Sequence, residues 1–276
     1  MLNPAVAFAI VSLTLPPSGR VHLPGGTFEM GSTPLEMERA LQLCEKELYR
    51  THCRLTISPL ILAEGHAHEV MLRDFWLDRT EVTVTSYRRC VAARVCTAPF
   101  FDEGDVEFDQ PSFPVTHVSV DDARTYCAYR GGRLPTEAEW EFAARGNAHR
   151  IFPWGNVYNP KLSNHGSFAS NEVDAQDGFA GLAPVGSFPD GATPLGILDL
   201  AGNVNEWVDG YLETDDVGFG YPPASMFNPK PGIGGGRPIS RGGSYLEGAT
   251  WVRNASRGRY HGTRSSTVGI RCAYDP

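Results

Sequence analysis

The chain has 276 residues, of which 41% are hydrophobic and 20% are charged, and it contains 30 glycines and 21 prolines. This length can bury a sizeable core, while the glycine and proline content predicts much irregular backbone. The formal net charge of −8, without a long run of lysine or arginine, argues against a nucleic-acid-binding protein and against binding to anionic lipids.

The N-terminus is apolar. Residues 1–15 carry no charge, and residues 5–15 form an apolar run. A membrane-spanning helix needs about 20 such residues, so we expect no transmembrane segment here. The run fits the apolar part of a secretory signal peptide. We therefore expect residues 1–20 to be either a signal peptide or a frayed apolar N-terminus, and residues 21–276 to form the folded domain.

The first half of the domain alternates strand and helix signals. Residues 21–32 alternate apolar and small residues around a glycine pair, which predicts a hairpin strand. Residues 34–48 have a helical pattern of leucines among charges. Residues 69–78 read as a strand pair or a bent strand, and residues 84–93 as a helix capped by Thr83.

Two further helices are predicted before the glycine- and proline-rich part of the chain. Residues 120–130 predict a helix with Ser119 as its cap. Thr136 and Glu139 form a capping-box pattern for a helix over residues 137–144. Residues 209–238 are rich in glycine and proline and predict a surface loop. A loop-rich α+β domain accounts for this order of elements.

The cysteines form an even set, at Cys44, Cys53, Cys90, Cys96, Cys127 and Cys272. None has Cys-x-x-Cys spacing, so disulfides fit better than a zinc site. Disulfides favour a secreted or periplasmic protein, and free buried thiols in a cytosolic protein are the alternative. Nearness in the sequence suggests the pairs Cys44–Cys53 and Cys90–Cys96.

Eight short motifs follow one another along residues 25–276. They read GGTFEMGS, DRTEVT, PVTHVS, RLPTEAEWEFAARG, PWG, AGNVNEW, RGGSY and GIRCA. Their order resembles the formylglycine-generating enzyme, or sulfatase-modifying factor, superfamily. The resemblance implies a loop-rich α+β fold of the C-type-lectin type. It also implies a disulfide between Cys127 and Cys272, which would close a long loop and contribute roughly 5 kcal/mol, against about 2 kcal/mol for Cys90–Cys96.

The resemblance also implies calcium, a cation that takes oxygen ligands. One or two ions are expected. The residues at the family's calcium positions are Asn164, His165, Asp177 and Phe179 for the first ion and Asp199, Gly202, Val204 and Glu206 for the second. The alternative for the carboxylates in these sets is that they are solvated loop residues.

The family's reactive cysteines are missing. In formylglycine-generating enzymes two cysteines after the Gly-Gly-Ser segment bind copper(I), and the matching positions here hold Glu247 and Val252. Neither supplies a thiolate, the ligand type that copper(I) selects, so copper is not expected. Ser244 is retained beside Glu247.

Two functions remain open. In the first, the chain is a non-catalytic module that binds a protein, peptide or glycan. In the second, it is an enzyme of altered, oxidoreductase-like chemistry, with Ser244 and Glu247 as catalytic residues and arginines that bind an anionic substrate. Those arginines are Arg241, Arg253, Arg257 and Arg259. A simpler role for Glu247 is that of an exposed loop acid paired with one of them.

Overall fold

The computed structural model describes residues 19–167, 175–212, 237–259 and 263–276. Residues 1–18, which make up most of the expected signal peptide or apolar N-terminus, lie outside these ranges. So do residues 213–236, which make up most of the predicted loop. The helices are α1 (Pro34–Glu47), α2 (Arg50–His52), α3 (Ser58–Leu62), α4 (Val84–Ala92), α5 (Val120–Tyr129) and α6 (Glu137–Arg145). Among the described residues, no helix combines the length and the apolar character needed to cross a bilayer.

The strands are short and belong to an α+β fold. They are β1 (Arg20–Leu23), β2 (Gly26–Met30), β3 (His68–Leu72), β4 (Phe75–Asp78), β5 (Asn205–Leu212), β6 (Arg237–Arg241), β7 (Arg257–Arg259), β8 (Val268–Gly269) and β9 (Ala273–Tyr274). Within the described residues they form sheets of order β1-β4-β9, β2-β3 and β7-β6-β5-β8. The prediction of a loop over residues 209–238 is wrong at both ends, because β5 continues to Leu212 and β6 begins at Arg237.

The hairpin predicted for residues 21–32 is wrong. β1 pairs antiparallel with β4, with Leu23 opposite Phe75. β2 instead pairs antiparallel with β3, with Phe28 opposite Val70. Gly25 lies between β1 and β2 at a φ of 61°, and a Cβ there would lie 2.6 Å from the backbone of Arg73. The glycine pair thus lets the chain pass close to a neighbouring turn and enter a second sheet, rather than fold back on itself.

Capping boxes fix where three helices begin. The Thr136 hydroxyl accepts a hydrogen bond from the Glu139 amide, and the Glu139 carboxylate accepts one from the Thr136 amide at 2.8 Å. The same reciprocal pattern joins Ser119 to Asp122 at the start of α5. Each box satisfies backbone donors that the first helical turn would otherwise leave unpaired.

Helix α6 lies at the centre of the molecule. Every residue from Ala138 to Arg145 is buried, and Trp140 is fully so. The indole of Trp140 donates to the Glu206 carboxylate at 2.6 Å, which links α6 to β5. Because a buried carboxylate is costly without partners, this contact and the ion pairs described below fix how α6 packs on the β5-β6 sheet.

The segment from α1 to α3 forms a small helical layer with its own core. Cys44 and Cys53 join α1 to the turn after α2 by a disulfide. Their sulfurs pack with Ile57 and Ile61, and the ring of Trp251 packs against this cluster. The helical layer therefore packs against Trp251, which follows Glu247 in the sequence.

All six cysteines are paired. The disulfides are Cys44–Cys53, Cys90–Cys96 and Cys127–Cys272. The third pair joins α5 to the residue before β9 across a sequence separation of 145. It closes the longest loop, so it restricts the unfolded chain most.

Candidate functional site

The turn after β6 carries Ser244 and Glu247. Gly242 and Gly243 precede it with φ values of 102° and 73°, a region that residues with a Cβ rarely adopt. A Cβ on Gly243 would lie 2.8 Å from Val252 Cγ1. The amide of Glu247 donates to the carbonyl of Ser244 at 2.9 Å, which closes the turn.

Glu247 is partly buried and is held by neutral hydrogen-bond donors. The Asn205 side-chain amide donates to Glu247 Oε2 at 2.7 Å, and the Ser244 hydroxyl donates to the same carboxylate. Burial raises the pKa of Glu247, although these donors oppose the shift. The carboxyl of Glu247 can therefore hold a proton at a higher pH than that of an exposed glutamate. The alternative role of Glu247, as an exposed loop acid paired with an arginine, does not describe this side chain.

Val252, at the second of the two positions that the resemblance to the family assigns to cysteines, is fully buried. It packs in an apolar cluster with Phe152 and Ala201. This position contributes packing to the fold and presents no polar atom to a ligand.

Three of the four predicted pocket arginines form ion pairs inside the protein. Arg253 binds the Glu64 carboxylate through two hydrogen bonds of 2.8 and 2.6 Å. Arg257 binds Glu137 in the same way, at 2.7 and 2.9 Å. Arg241 is fully buried and contacts the Glu141 carboxylate. Only the backbone of Arg259 is described, within β7. These pairs neutralise Arg241, Arg253 and Arg257 and leave none of the three open to an external anion.

Two cavities that the sequence did not predict share Phe108 in their linings, and the first also borders the turn. The first has a volume of about 400 Å³ and is lined by Glu107, Phe108, Phe113, Leu182, Tyr245 and Leu246, among others. The second, of about 460 Å³, also touches Phe108 and adds the Phe100, Phe101 and His117 rings and the Asp102 and Asp105 carboxylates. Aromatic residues spaced through the 100–117 segment are the signal that sequence reasoning passed over.

The first predicted calcium set comes together in space. Asp177 accepts hydrogen bonds from the amides of His165 and Phe179, at 2.7 and 2.9 Å. The Asn164 side-chain nitrogen donates to the Gly181 carbonyl at 2.8 Å, whereas its Oδ1 is buried without a hydrogen-bond partner. An unpartnered buried amide oxygen is costly, and a hard cation would satisfy it. The first set therefore fits calcium.

The second predicted set differs. Both Glu206 carboxylate oxygens accept hydrogen bonds from Arg271, and one also accepts from Trp140. The Asp199 carboxylate accepts from the Gly186 amide at 2.6 Å. Because a guanidinium already neutralises Glu206, this set does not fit calcium in the described arrangement.

Glu81 is a neighbour of the second set that the sequence did not single out. It is fully buried, and Asn203 donates to its Oε1 at 3.0 Å. Burial raises the pKa of Glu81 well above its usual range, and the nearby charge of Asp199 raises it further. Within the described residues, no three histidine, cysteine, aspartate or glutamate side chains group as a metal site, so a calcium ion would need amide and carbonyl oxygens beside the Asp177 carboxylate.

Comparison with known proteins decides the family. Residues 12–276 match the sulfatase-modifying factor enzyme 1-like domain. The chain belongs to this family. It is 36% identical to the formylglycine-generating enzyme of Streptomyces coelicolor over 293 aligned positions, which cover 93% of this chain and 89% of that protein.

Other similarities to this sulfatase-modifying-factor-like chain are informative. It is 37% identical over 176 positions to the inactive Cα-formylglycine-generating enzyme 2 of Bos taurus, covering 58% of this chain and 50% of that protein. The chain thus spans about half the length of this mammalian relative. The structure of PvdO from Pseudomonas aeruginosa shares the fold, with a TM-score of 0.71, 24% identity and coverage of 93% and 94%. The family therefore includes a protein that is named inactive.

Proposed function

We propose that this chain is a non-catalytic, extracytoplasmic member of the sulfatase-modifying factor family that binds a peptide segment of a partner protein. The observation that carries the proposal is that the chain has no free cysteine. All six cysteines of the sequence are in disulfides, and Glu247 and Val252 stand at the positions of the family's copper-binding cysteines. Without a free thiolate, the chain has neither the copper ligands nor the group that engages a substrate cysteine.

The groups around Glu247 support this proposal. Asn205 and Ser244 hold its carboxylate, and Arg253 and Arg257 are bound to Glu64 and Glu137. These contacts make Asn205, Ser244, Arg253 and Arg257 parts of a rigid scaffold. A scaffold that keeps its shape after losing its reactive groups is suited to recognition.

The two cavities that share Phe108 define the class of partner. The cavity beside Tyr245 and Leu246 is largely apolar and suits an aliphatic or aromatic side chain. The neighbouring cavity combines Phe rings with the carboxylates of Asp102 and Asp105, a combination that attracts a basic side chain. A peptide with an apolar residue near a basic one would fill both.

Calcium and the extracytoplasmic location are parts of the same proposal. A calcium ion at the first set would be held by the Asn164 and Asp177 side chains with carbonyls of His165 and Phe179. When bound, it would stabilise the backbone around Asn164 and Asp177, and it would supply no catalytic group. The three disulfides fit an oxidising compartment, whether secreted or periplasmic.

Selection from a displayed peptide library tests the proposal. We expect enriched peptides to carry an apolar residue beside a lysine or arginine and to bind the Glu247→Ala variant as well as the native chain. Leu246→Ala, which removes part of the first cavity wall, should weaken binding about tenfold, the scale set by a few buried methyl groups. Leu195→Ala, at a half-exposed leucine outside both cavities, is the matched control. Peptides that bind Leu246→Ala unchanged would contradict the assignment of this cavity.

An enzyme of altered chemistry is the second candidate, and one observation favours it. Burial raises the pKa of Glu247 next to the Ser244 hydroxyl, as a general acid requires. In that case, turnover of a small-molecule substrate should collapse in Glu247→Gln, while the folded state and the peptide binding above persist. Turnover that is unchanged in Glu247→Gln would remove the catalytic role.

A further inference from the structure

A third cavity, of about 450 Å³, lies between α1 and the loop over residues 151–158. We propose that it binds a small organic anion with an aromatic or apolar body. The cavity shares no lining residue with the two cavities around Phe108. The inference is therefore independent of the proposed peptide binding.

Two cations from one face of α1 line this cavity. Arg39 and Lys46 lie seven residues apart, which places them on the same side of the helix, with Gln42 and Leu43 between them. Within the described part of the chain, neither Arg39 nor Lys46 has a carboxylate partner. The other acids of α1 are paired elsewhere: Glu36 with Arg145, and Glu38 and Glu45 with Arg54. Charge at this site is thus available for an external anion.

The opposite wall is aromatic and apolar. The rings of Phe152 and Tyr158 lie with their centroids 5.5 Å apart, and both line the cavity. Ile151 and Val157 add aliphatic surface, and Val157 is 78% exposed. An exposed aliphatic side chain beside an aromatic wall favours a ligand with an apolar body over an inorganic ion.

One acid also lines the cavity, and one oxygen of its carboxylate is engaged. Glu47 accepts a hydrogen bond from the Ala249 amide at 3.0 Å. A Cβ on Gly248 would lie 2.0 Å from Glu47 Oε2, so the carboxylate is pressed against the backbone of this turn. Arg39 and Lys46 outnumber this single acid, and the cavity keeps a net positive charge. Because Ala249 lies two residues after Glu247, a bound anion would also stabilise the turn that carries Glu247.

Two fluorescent probes of similar shape test the inference. 1-Anilinonaphthalene-8-sulfonate carries a sulfonate, and N-phenyl-1-naphthylamine is its uncharged counterpart. Both are titrated into the purified full chain at low salt. We expect the sulfonate to bind at one site, and more tightly than the amine. In the Arg39→Gln/Lys46→Gln double variant, sulfonate affinity should fall about tenfold, because a surface charge pair contributes on this scale, while amine affinity stays the same.

The matched control is Arg89→Gln/Arg94→Gln, which makes the same change of charge at exposed positions near the end of α4. It should leave sulfonate binding within about twofold of the native value. Absence of sulfonate binding to the native chain, or equal sulfonate affinity in the native and Arg39→Gln/Lys46→Gln chains, would overturn the inference. An equal loss of affinity for both probes in Arg39→Gln/Lys46→Gln would also overturn it, because the cavity would then bind ligands through apolar contacts alone. Peptide binding around Phe108 is unaffected by either result, so the two proposals fail separately.

Discussion

The side-chain amide of Asn205 donates a hydrogen bond of 2.7 Å to the carboxylate of Glu247. Asn205 begins β5, and its own Oδ1 accepts from the Gly243 amide at 3.2 Å. One asparagine therefore binds both the glycine turn and Glu247, at a position that the resemblance to the family assigns to a cysteine. The sheet positions Glu247 directly, and the carboxylate is part of the fold as well as of the candidate site.

The first prediction concerns pH. Burial raises the pKa of Glu247 in the folded chain, so folding favours its protonated form. This contribution to the free energy of unfolding is fully present below the pKa of the unfolded chain and is lost as the pH rises through the higher folded pKa. Glu247→Gln keeps an acceptor for Asn205 without the charge. In chemical denaturation, we expect the variant to gain stability relative to the native chain as the pH rises from 4 to 8.

Glu69→Gln, at an exposed acid in β3, is the control for loss of one carboxylate charge, and the gain of Glu247→Gln between pH 4 and 8 should exceed the change in this control. If the difference between Glu247→Gln and the native chain stays constant over this range, the carboxyl is not perturbed by burial.

The second prediction concerns the ion pair between Arg253 and Glu64, whose side chains are 2% and 0% exposed. Arg253→Met leaves a buried carboxylate uncompensated and should lower the free energy of unfolding by about 3–5 kcal/mol. The double variant Arg253→Met/Glu64→Leu should lose much less, because no charge remains buried. Arg50→Met, at an arginine with a 79% exposed side chain, is the control and should change little. A double variant less stable than Arg253→Met would contradict this prediction, because Glu64 would then stabilise the fold through another contact, such as its hydrogen bond from the Ser32 hydroxyl.

Local signals predicted α1, α4, α5 and α6, but not the short helices α2 and α3. Thr83, Ser119 and Thr136 cap the helices that the sequence placed after them, because a cap depends on residues within one turn. The contacts around the site could not be predicted in this way. Arg253 and Glu64 are 189 residues apart in the sequence, and Asn205 and Glu247 are 42 apart. Only the packing of the helical layer and the sheet brings these partners together, so three of the four arginines that the sequence offered as anion ligands have internal partners instead.

The third prediction compares two disulfides. Replacing Cys127 and Cys272 by alanine should lower the free energy of unfolding by about 5 kcal/mol, because the bond closes a loop with a sequence separation of 145. Replacing Cys90 and Cys96, with a separation of 6, should cost about 2 kcal/mol. Urea titrations of both variants give the comparison. Equal losses would mean that loop length does not set the contribution of these bonds.

The fourth prediction concerns calcium. Calcium that binds only the folded chain raises its stability by about 2.7 kcal/mol at a hundredfold excess over the dissociation constant. EDTA should therefore lower the melting temperature of the native chain. It should have no effect on Asp177→Asn, which loses the charge and keeps one of the two oxygens that accept hydrogen bonds from the His165 and Phe179 amides. Asp190→Asn, in the Pro189–Gly191 turn, should keep the native response. An EDTA shift that persists in Asp177→Asn would place the ion elsewhere.

The central claim is that this chain does not generate formylglycine. The most direct test is to incubate it, with its disulfides intact, with copper(I), oxygen and a cysteine-containing sulfatase peptide. Mass spectrometry then measures conversion of the cysteine to an aldehyde, with the Streptomyces coelicolor relative as the positive control. We predict no aldehyde above the protein-free reaction, because Glu247 and Val252 replace the reactive thiols. Aldehyde formation by the native chain would contradict the account.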